Sequence, residues 1–298
     1  MGETPRWKDY LALTKPGITG LIVAVGIGGY FLALTGPVRL VPLALLVAFG
    51  ASASAGAAML NHYFDRDLDA QMRRTRHRPL PEGRIAPDVS VFAGGIALSA
   101  IGVGGAALLL NPLAAFAILL GGVTYVGVYT LWLKRRSSWN IVVGGFAGSA
   151  PALAGSAVAV GHFTAGAYAL ALLLFLWTPP HFWSLALLLR KDYAAVGLPM
   201  LPKMDDPAFS GKVVVVSAAL LLPATILVWW LAPLPWWAGG TLVALGIAFV
   251  ALTSPLWGAV LPGRARMGFI YSGIYLLAVL VVLVASGLIA HPALAVGA

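Results

Sequence analysis

Nine apolar segments, each about 20 residues long, constrain this chain more than any other feature of its sequence. A helix of that length rises about 30 Å, which matches the hydrocarbon core of a bilayer. Only 10% of the 298 residues are charged, against about 25% in soluble domains. We therefore predict an all-α integral membrane protein with a single transmembrane domain over residues 1–298. The predicted spans are 17–35, 40–62, 89–109, 112–132, 139–159, 166–189, 212–232, 236–258 and 268–290.

The distribution of charge predicts how the spans are oriented. With nine spans, 18 of the 19 Lys and Arg residues and all ten acids fall on the side of the N-terminus, and only Arg39 falls opposite. The positive-inside rule makes the charged side cytoplasmic, so the basic excess requires no nucleic-acid partner. The first residues lack the apolar core of a signal peptide. We expect a multi-pass protein of the bacterial inner membrane, with cytoplasmic loops at 61–85, 134–138 and 190–211.

Two absences exclude several kinds of chemistry. The chain has no cysteine, which excludes disulfides, thiolate metal sites, a catalytic thiol and covalent haem attachment. It also lacks the Gly-x-x-x-x-Gly-Lys-Ser/Thr loop of ATP-driven proteins. Small residues are concentrated at 50–58 and 144–155. They favour close helix packing, and a groove for an apolar substrate is the alternative interpretation.

The most polar stretch of the chain follows the second span, at residues 61–84. Read as a helix, it places Asn61, Asp65, Asp69 and Arg73 on one face, because each step of four residues turns about 400°. Asp67 falls on the opposite face. Two carboxylates at this spacing repel each other unless a cation lies between them. Oxygen ligands beside arginines suit a Mg²⁺-bound diphosphate, whereas a solvated basic loop would explain the arginines alone.

A second polar site is predicted where the sixth span ends. Pro179 and Pro180 should kink or break the helix and free backbone carbonyls. His181 and Asp192 are eleven residues apart, about 1,100° of helix, so they should share one stripe with Asp192 about 16 Å nearer the cytoplasm. An ionisable residue inside the membrane is a functional candidate, and a hydrogen-bonded structural histidine is the alternative. Lys134 belongs to a basic cluster that either sets topology or binds phosphate.

Several segments, spread over nearly the whole chain, resemble the UbiA superfamily of intramembrane prenyltransferases. The superfamily motif Asn-x-x-x-Asp-x-x-x-Asp stands at Asn61, Asp65 and Asp69. The segments TPPHFW and DYAAVGLPMLP resemble the haem-farnesylating branch of that superfamily. The other similar segments are YLALTKPGIT (10–19), DRDLDAQMRRTRHRPLPEGRI (65–85), KRRSSWNIVVGGFAGSAP (134–151) and RARMGFIYSGIYL (264–276).

The resemblance implies a fold, a reaction and a set of site residues. The fold is nine helices around a central cavity with a cytoplasmic polar cap. The reaction is the Mg²⁺-dependent transfer of a farnesyl group from farnesyl diphosphate to a vinyl group of haem b, with water capturing the cation to give haem O. The implied Mg²⁺ ligands and catalytic residues are Asn61, Asp65, Asp69 and Asp192. The implied substrate-binding residues are Arg73, Arg74, Arg78, Lys134 and Lys191 for the diphosphate, and His181 for haem.

This chain departs from the superfamily pattern at two places. Gly17 follows Pro16 where relatives carry arginine, so we assign no phosphate binding there. His181 stands near the position of the first aspartate in a paired-aspartate second motif, which leaves Asp192 as the acid of that site.

Other functions stay open at this stage. One is a UbiA-type enzyme that prenylates another aromatic or tetrapyrrole acceptor. Two others belong to different classes: a transporter of anionic lipids, and a non-catalytic haem-binding assembly protein. A transporter needs a polar route to the far side, yet nearly all charges lie at one face. The expected partners are haem b, farnesyl diphosphate, the lipid bilayer and a downstream haem-modifying enzyme or terminal oxidase assembly.

Overall fold

The computed structural model describes residues 6–86, 89–199, 206–232, 234–258 and 262–295 of the chain. Within these ranges it contains nine helical segments that are long and apolar enough to cross a membrane. They agree closely with the nine predicted spans and confirm the all-α membrane class. They are Pro16–Ala33, Leu40–Gln71, Val89–Leu109, Pro112–Leu133, Asn140–Val160, Ala165–Leu188, Ala208–Leu231, Trp236–Leu256 and Pro262–Ala290.

Several of these segments are divided into shorter elements. The described helices are α1 (Trp7–Leu13), α2 (Pro16–Ala33), α3 (Leu40–Gln71), α4 (Val89–Leu109), α5 (Pro112–Val123), α6 (Asn140–Gly144), α7 (Phe146–Val160), α8 (Ala165–Leu188), α9 (Arg190–Ala195), α10 (Pro207–Ala219), α11 (Leu221–Leu231), α12 (Trp236–Thr253) and α13 (Pro262–Ala290). A π-helix, Thr124–Leu133, continues α5, and a 3₁₀ turn, Ser254–Leu256, continues α12. The two short strands are β1 (Val38–Arg39) and β2 (Leu294–Ala295).

Small residues let the inner helices approach each other closely. A Cβ atom added to Gly29 of α2 would collide with the backbone of Ala152 in α7, and one added to Gly155 would collide with Gly26 in return. Without the hydrophobic effect to drive helices together in lipid, such close backbone contact supplies much of the packing energy. The small residues at 144–155 therefore allow close helix packing, as predicted from the sequence.

The sixth span differs from its prediction in two ways. α8 continues through Pro179 and Pro180, so the expected break at the prolines is wrong. Both prolines are buried, and Trp177 Nε1 donates to the carbonyl of Ser272 in α13 at 2.9 Å, so tertiary packing holds this helix together. The helix ends instead at Leu188, before Leu189 at φ −100° and ψ 15°. The predicted stripe joining His181 to Asp192 is therefore wrong, because Asp192 lies on the separate helix α9.

Connections of alternate spans meet at two opposite ends of the molecule. At the polar end, Arg84 pairs with Asp9 of α1, and Arg135 pairs with Asp67 of α3. At the other end, Arg39 Nη2 donates to the carbonyls of Val158 and Ala159 at 2.8 and 3.0 Å and caps α7. β1 pairs in parallel with β2 at that end. The single cation of the far side thus satisfies carbonyls that have no partner within their own helix.

Labelling of single cysteines tests the predicted orientation. His77→Cys, in the exposed arginine-rich loop, should react only with reagents applied from the cytoplasmic side. His162→Cys, in an exposed turn at the other end, should react only from the non-cytoplasmic side. The natural chain has no cysteine, so it gives the background directly. Labelling of position 77 from the non-cytoplasmic side would overturn the orientation.

Candidate active site

The polar face of α3 is buried inside the molecule. Asn61, Asp65 and Asp69 are only 3%, 1% and 2% exposed, and Asn61 Nδ2 donates to Asp65 Oδ2 at 2.7 Å. Asp67 points away from them, with 58% of its side chain exposed and Arg135 at 2.6 Å. The predicted division between the two faces of the helix is therefore present in the structure.

Arg73 does not extend this face, contrary to the prediction from helical spacing. α3 ends at Gln71, because Met72 is extended at φ −97° and ψ 132°. The side chain of Met72 is buried, and Arg73 is exposed in the turn that follows. Packing of Met72 thus ends the four-residue repeat one step earlier than the pattern indicates.

Each polar group of the buried face has its own cation. Lys134 Nζ lies 2.5 Å from Asp65 Oδ2, and Arg78 Nη1 lies 2.6 Å from Asp69 Oδ2. Lys15 Nζ donates to Asn61 Oδ1. Lys134 follows the π-helix, Arg78 lies in the connection between α3 and α4, and Lys15 lies between α1 and α2. They offset the repulsion expected between Asp65 and Asp69.

Lys15 is a site residue that sequence reasoning missed. It adopts a left-handed backbone at φ 47° just before Pro16, and its Nζ also lies 3.0 Å from the hydroxyl of Tyr125. Burial, reinforced by Arg78, lowers the pKa of Lys15 to about 8, while Asp65 and Asp69 act in the opposite direction. In the sequence, Lys15 is one of three N-terminal cations with Arg6 and Lys8, and no local pattern distinguishes it from the other two.

The π-helix Thr124–Leu133 forms the wall opposite the acids. Its wider turn joins Lys134 N to Tyr129 O at 2.9 Å, and Thr130 Oγ1 donates to Tyr125 O at 2.8 Å. The rings of Tyr125 and Tyr129 stack with centroids 6.1 Å apart. Thr130 in turn accepts from Asn61 Nδ2 at 2.9 Å. π-Helical turns are frequent at functional sites, and here the turn brings Lys134 to Asp65 and Tyr125 to Lys15.

Helix α9, which carries Lys191 and Asp192, packs against the C-terminal end of α3. Tyr193 is buried in an apolar cluster with Leu68 and Met72, and the positive charge of Arg74 lies near its side chain. Burial raises the pKa of the Tyr193 phenol, which therefore stays neutral at physiological pH. Asp192 is half-buried and Lys191 is exposed on the same helix. Within the described residues, neither makes a direct hydrogen bond or ion pair with the acids of α3.

His181 lies in a separate aromatic setting. Its ring stacks on Trp177 with centroids 4.4 Å apart and on Phe269 at 4.9 Å. Its Nδ1 lies 2.6 Å from Ser272 Oγ. The hydrogen-bond partner of His181 is thus a hydroxyl of α13, and not a carbonyl freed by the prolines.

One oxygen of the buried face suits a metal ion. Asp65 Oδ1 is buried and has no hydrogen-bond partner, although its other oxygen has two. The described residues contain no cluster of three His, Cys, Asp or Glu side chains that could hold a metal alone. Two carboxylates and one amide would fill only part of the coordination shell of a hard cation. Phosphate oxygens and water would fill the remaining coordination positions, as is usual for Mg²⁺. The residues therefore fit a metal that arrives with a phosphate ligand.

The fold and this site define a class of protein: a multi-pass α-helical membrane protein with a buried carboxylate and cation site for a metal-bound anion. Residues 21–266 match the model of the UbiA prenyltransferase family. The chain belongs to that family and is a membrane-embedded prenyltransferase.

Curated relatives support the same assignment. The chain is 39% identical over 282 residues to the protoheme IX farnesyltransferase of Brucella ovis, which covers 93% of this chain and 89% of the relative. It is 42% identical over 221 residues to the protein of the same name from Nostoc sp., covering 74% of this chain and 69% of the relative.

Solved structures share the fold. A UbiA homologue from Archaeoglobus fulgidus bound to GPP and Mg²⁺ superposes with a TM-score of 0.70 at 17% identity, over 92% of this chain and 99% of the homologue. The apo UbiA homologue from Aeropyrum pernix gives a TM-score of 0.73 at 19% identity, over 92% of this chain and 97% of the homologue.

Proposed function

We propose that this protein farnesylates haem b to give haem O, using farnesyl diphosphate and Mg²⁺. The single observation that carries the proposal is the buried face of α3, on which Asn61, Asp65 and Asp69 are each matched by one cation. The identity of the acceptor is supported by the relatives named protoheme IX farnesyltransferase.

The cations and acids of this face suit the diphosphate half of the reaction. Asn61, Asp65 and Asp69 would hold Mg²⁺, with Asp192 contributing from α9. Lys15, Arg78 and Lys134 would then be released from the acids to bind phosphate oxygens. Arg73 and Arg74 follow the end of α3 and Lys191 belongs to α9, and all three would supply further positive charge. When bound, Mg²⁺ makes the diphosphate a better leaving group.

The chemistry balances with water as the only further reactant. The C–O bond of farnesyl diphosphate breaks, and its electron pair leaves with the diphosphate. The allylic carbon bonds to the terminal carbon of a haem vinyl group, which places positive charge on the carbon next to the porphyrin ring. Water adds there and loses a proton, which gives a hydroxyl group. The cations matched to α3 stabilise the charge of the departing diphosphate.

Mass spectrometry of extracted haem tests the proposal. Purified protein with haem b, farnesyl diphosphate and Mg²⁺ should give haem that has gained one farnesyl group and one hydroxyl group. The reaction should require Mg²⁺ and should not occur when 4-hydroxybenzoate replaces haem. Prenylated 4-hydroxybenzoate with unchanged haem would identify a different acceptor. Flux of farnesyl diphosphate across proteoliposomes without covalent product would indicate a transporter.

Replacing His181 of α8 and replacing Asp192 of α9 should weaken the binding of different substrates. His181→Ala should weaken haem binding by about tenfold, the equivalent of ~1.4 kcal/mol, while leaving farnesyl diphosphate binding nearly unchanged. Asp192→Ala should weaken farnesyl diphosphate binding and leave haem binding nearly unchanged. Titrations of each purified variant with each substrate measure both affinities. Normal haem affinity and turnover in a stable His181→Ala protein would contradict a role in haem binding.

We also propose that the polar end faces the cytoplasm of a bacterium, at the inner membrane. The product is apolar and would pass to a downstream haem-modifying enzyme or to assembly of a terminal oxidase. The one-sided distribution of charge supports the orientation.

A further inference from the structure

Three hydrogen bonds converge on Ser272, a fully buried residue of α13. Trp177 Nε1 donates to the Ser272 carbonyl at 2.9 Å, and His181 Nδ1 lies 2.6 Å from the Ser272 hydroxyl. That hydroxyl also lies 2.6 Å from the carbonyl of Phe269, one turn earlier on the same helix. Two side chains of α8 are thus tied to one residue of α13.

The direction of these bonds determines the tautomer of His181. A carbonyl oxygen cannot donate, so at 2.6 Å the Ser272 hydroxyl must donate to Phe269 O, since otherwise two acceptor oxygens would repel at close range. A hydroxyl has one hydrogen, so Ser272 Oγ has none left for His181. His181 Nδ1 must therefore carry the proton and donate it to Ser272. The proton of a neutral imidazole then lies on Nδ1, and Nε2 holds a free lone pair.

The ring of His181 is also held in orientation. Trp177 stacks on one side at an interplanar angle of 19°, and Phe269 stacks at 30°. With Nδ1 directed to Ser272, the ring cannot flip without losing a hydrogen bond in a buried setting. Nε2, on the opposite edge of the ring, forms no hydrogen bond within the described residues, and the side chain of His181 is partly exposed.

We propose that Ser272 is a positioning residue that holds His181 in the Nδ1–H form, so that Nε2 presents its lone pair to the iron of the haem substrate. The inference rests on the proposed haem farnesylation and names the atom by which the acceptor is held. Neutral imidazole is a common axial ligand of haem, and a hydrogen bond from its other nitrogen fixes the ring and strengthens it as a donor. Ser272 acts through His181 and does not itself touch the substrate.

Spectroscopy of the haem complex tests this role apart from activity. The wild-type protein is loaded with haem b, and the iron–imidazole stretch of the ferrous form is recorded by resonance Raman. Ser272→Ala should lower that frequency and weaken haem binding several-fold, because the imidazole loses its acceptor and becomes a poorer donor. Ser272→Thr keeps the hydroxyl and should retain the wild-type frequency.

Ser286→Ala is the matched control. Ser286 is also buried on α13, and its hydroxyl also donates to a carbonyl of its own helix, that of Val282 at 2.8 Å. Ser286→Ala should lower stability by the amount expected for the loss of one hydrogen bond within a helix, and it should leave the iron–imidazole stretch unchanged. Ser272→Cys, which replaces the hydroxyl with a weak acceptor of similar size, should shift the frequency in the same direction as Ser272→Ala and provides the test if Ser272→Ala does not fold.

The outcomes separate this inference from the proposed function. An unchanged iron–imidazole stretch in Ser272→Ala, or in Ser272→Cys, would overturn the positioning role while farnesylation of haem stood. If the iron–imidazole stretch of the wild type were also present in His181→Ala, another residue would bind the iron. That result would overturn the positioning role as well. Failure of the wild-type protein to farnesylate haem would instead overturn the proposed function.

Discussion

Asp65→Asn should reduce farnesyl transfer by at least about a hundredfold. Loss of an outer hydrogen bond around a metal site typically costs about 10- to 100-fold, and Asp65 offers a buried carboxylate oxygen that has no hydrogen-bond partner. Asparagine preserves the shape of the side chain but removes the charge that would hold Mg²⁺. Initial rates at saturating haem, measured over a range of Mg²⁺ concentrations, should show that excess metal does not restore activity.

A loss of stability could imitate this result, because Asp65 also neutralises Lys134, whose side chain is only 16% exposed. Breaking a buried ion pair from one side costs about 3–5 kcal/mol. The double variant Asp65→Asn with Lys134→Met removes both charges and should recover stability without recovering turnover. Asp67→Asn is the matched control on the exposed face and should stay within about fivefold of wild type. Recovery of turnover in the double variant would show that Asp65 serves only to balance Lys134.

Lys15→Met should lower kcat/KM for farnesyl diphosphate by about 10- to 100-fold. A hydrogen bond to a charged group contributes about 1.5–3 kcal/mol, and methionine keeps the apolar stem of the lysine while removing its ammonium group. The expected defect lies mainly in KM, since Lys15 would contact the diphosphate in the ground state as well. Steady-state kinetics with varied farnesyl diphosphate at fixed haem provide the measurement.

Lys8→Met is the control for the same N-terminal segment. Lys8 is exposed and lies over the ring of Trp7, away from the buried face of α3. Its replacement should leave KM nearly unchanged. Equal effects of the two substitutions would mean that general positive charge attracts the substrate, and would remove Lys15 from the site.

The membrane spans and the acidic face could be read from the sequence because both depend on local rules. A helix must satisfy its own backbone hydrogen bonds in lipid, so the length of an apolar run predicts a span. Four-residue spacing places Asn61, Asp65 and Asp69 on one face of any regular helix, and Asp67 on the other. The same rule failed at Arg73 and at Asp192, because burial of Met72 and the interruption at Leu189 end two helices that the spacing alone would continue.

The partners of those residues depended on tertiary structure. Lys15 reaches Asn61 across 46 positions, and Lys134 reaches Asp65 across 69. The π-helix that precedes Lys134 has no local signature distinct from an ordinary apolar helix. His181 was visible as an imidazole after two prolines, but its tautomer depends on Ser272, 91 residues later. Spacing along one helix determines which side chains share a face, whereas the packing of separate helices decides which groups meet that face and in which chemical form.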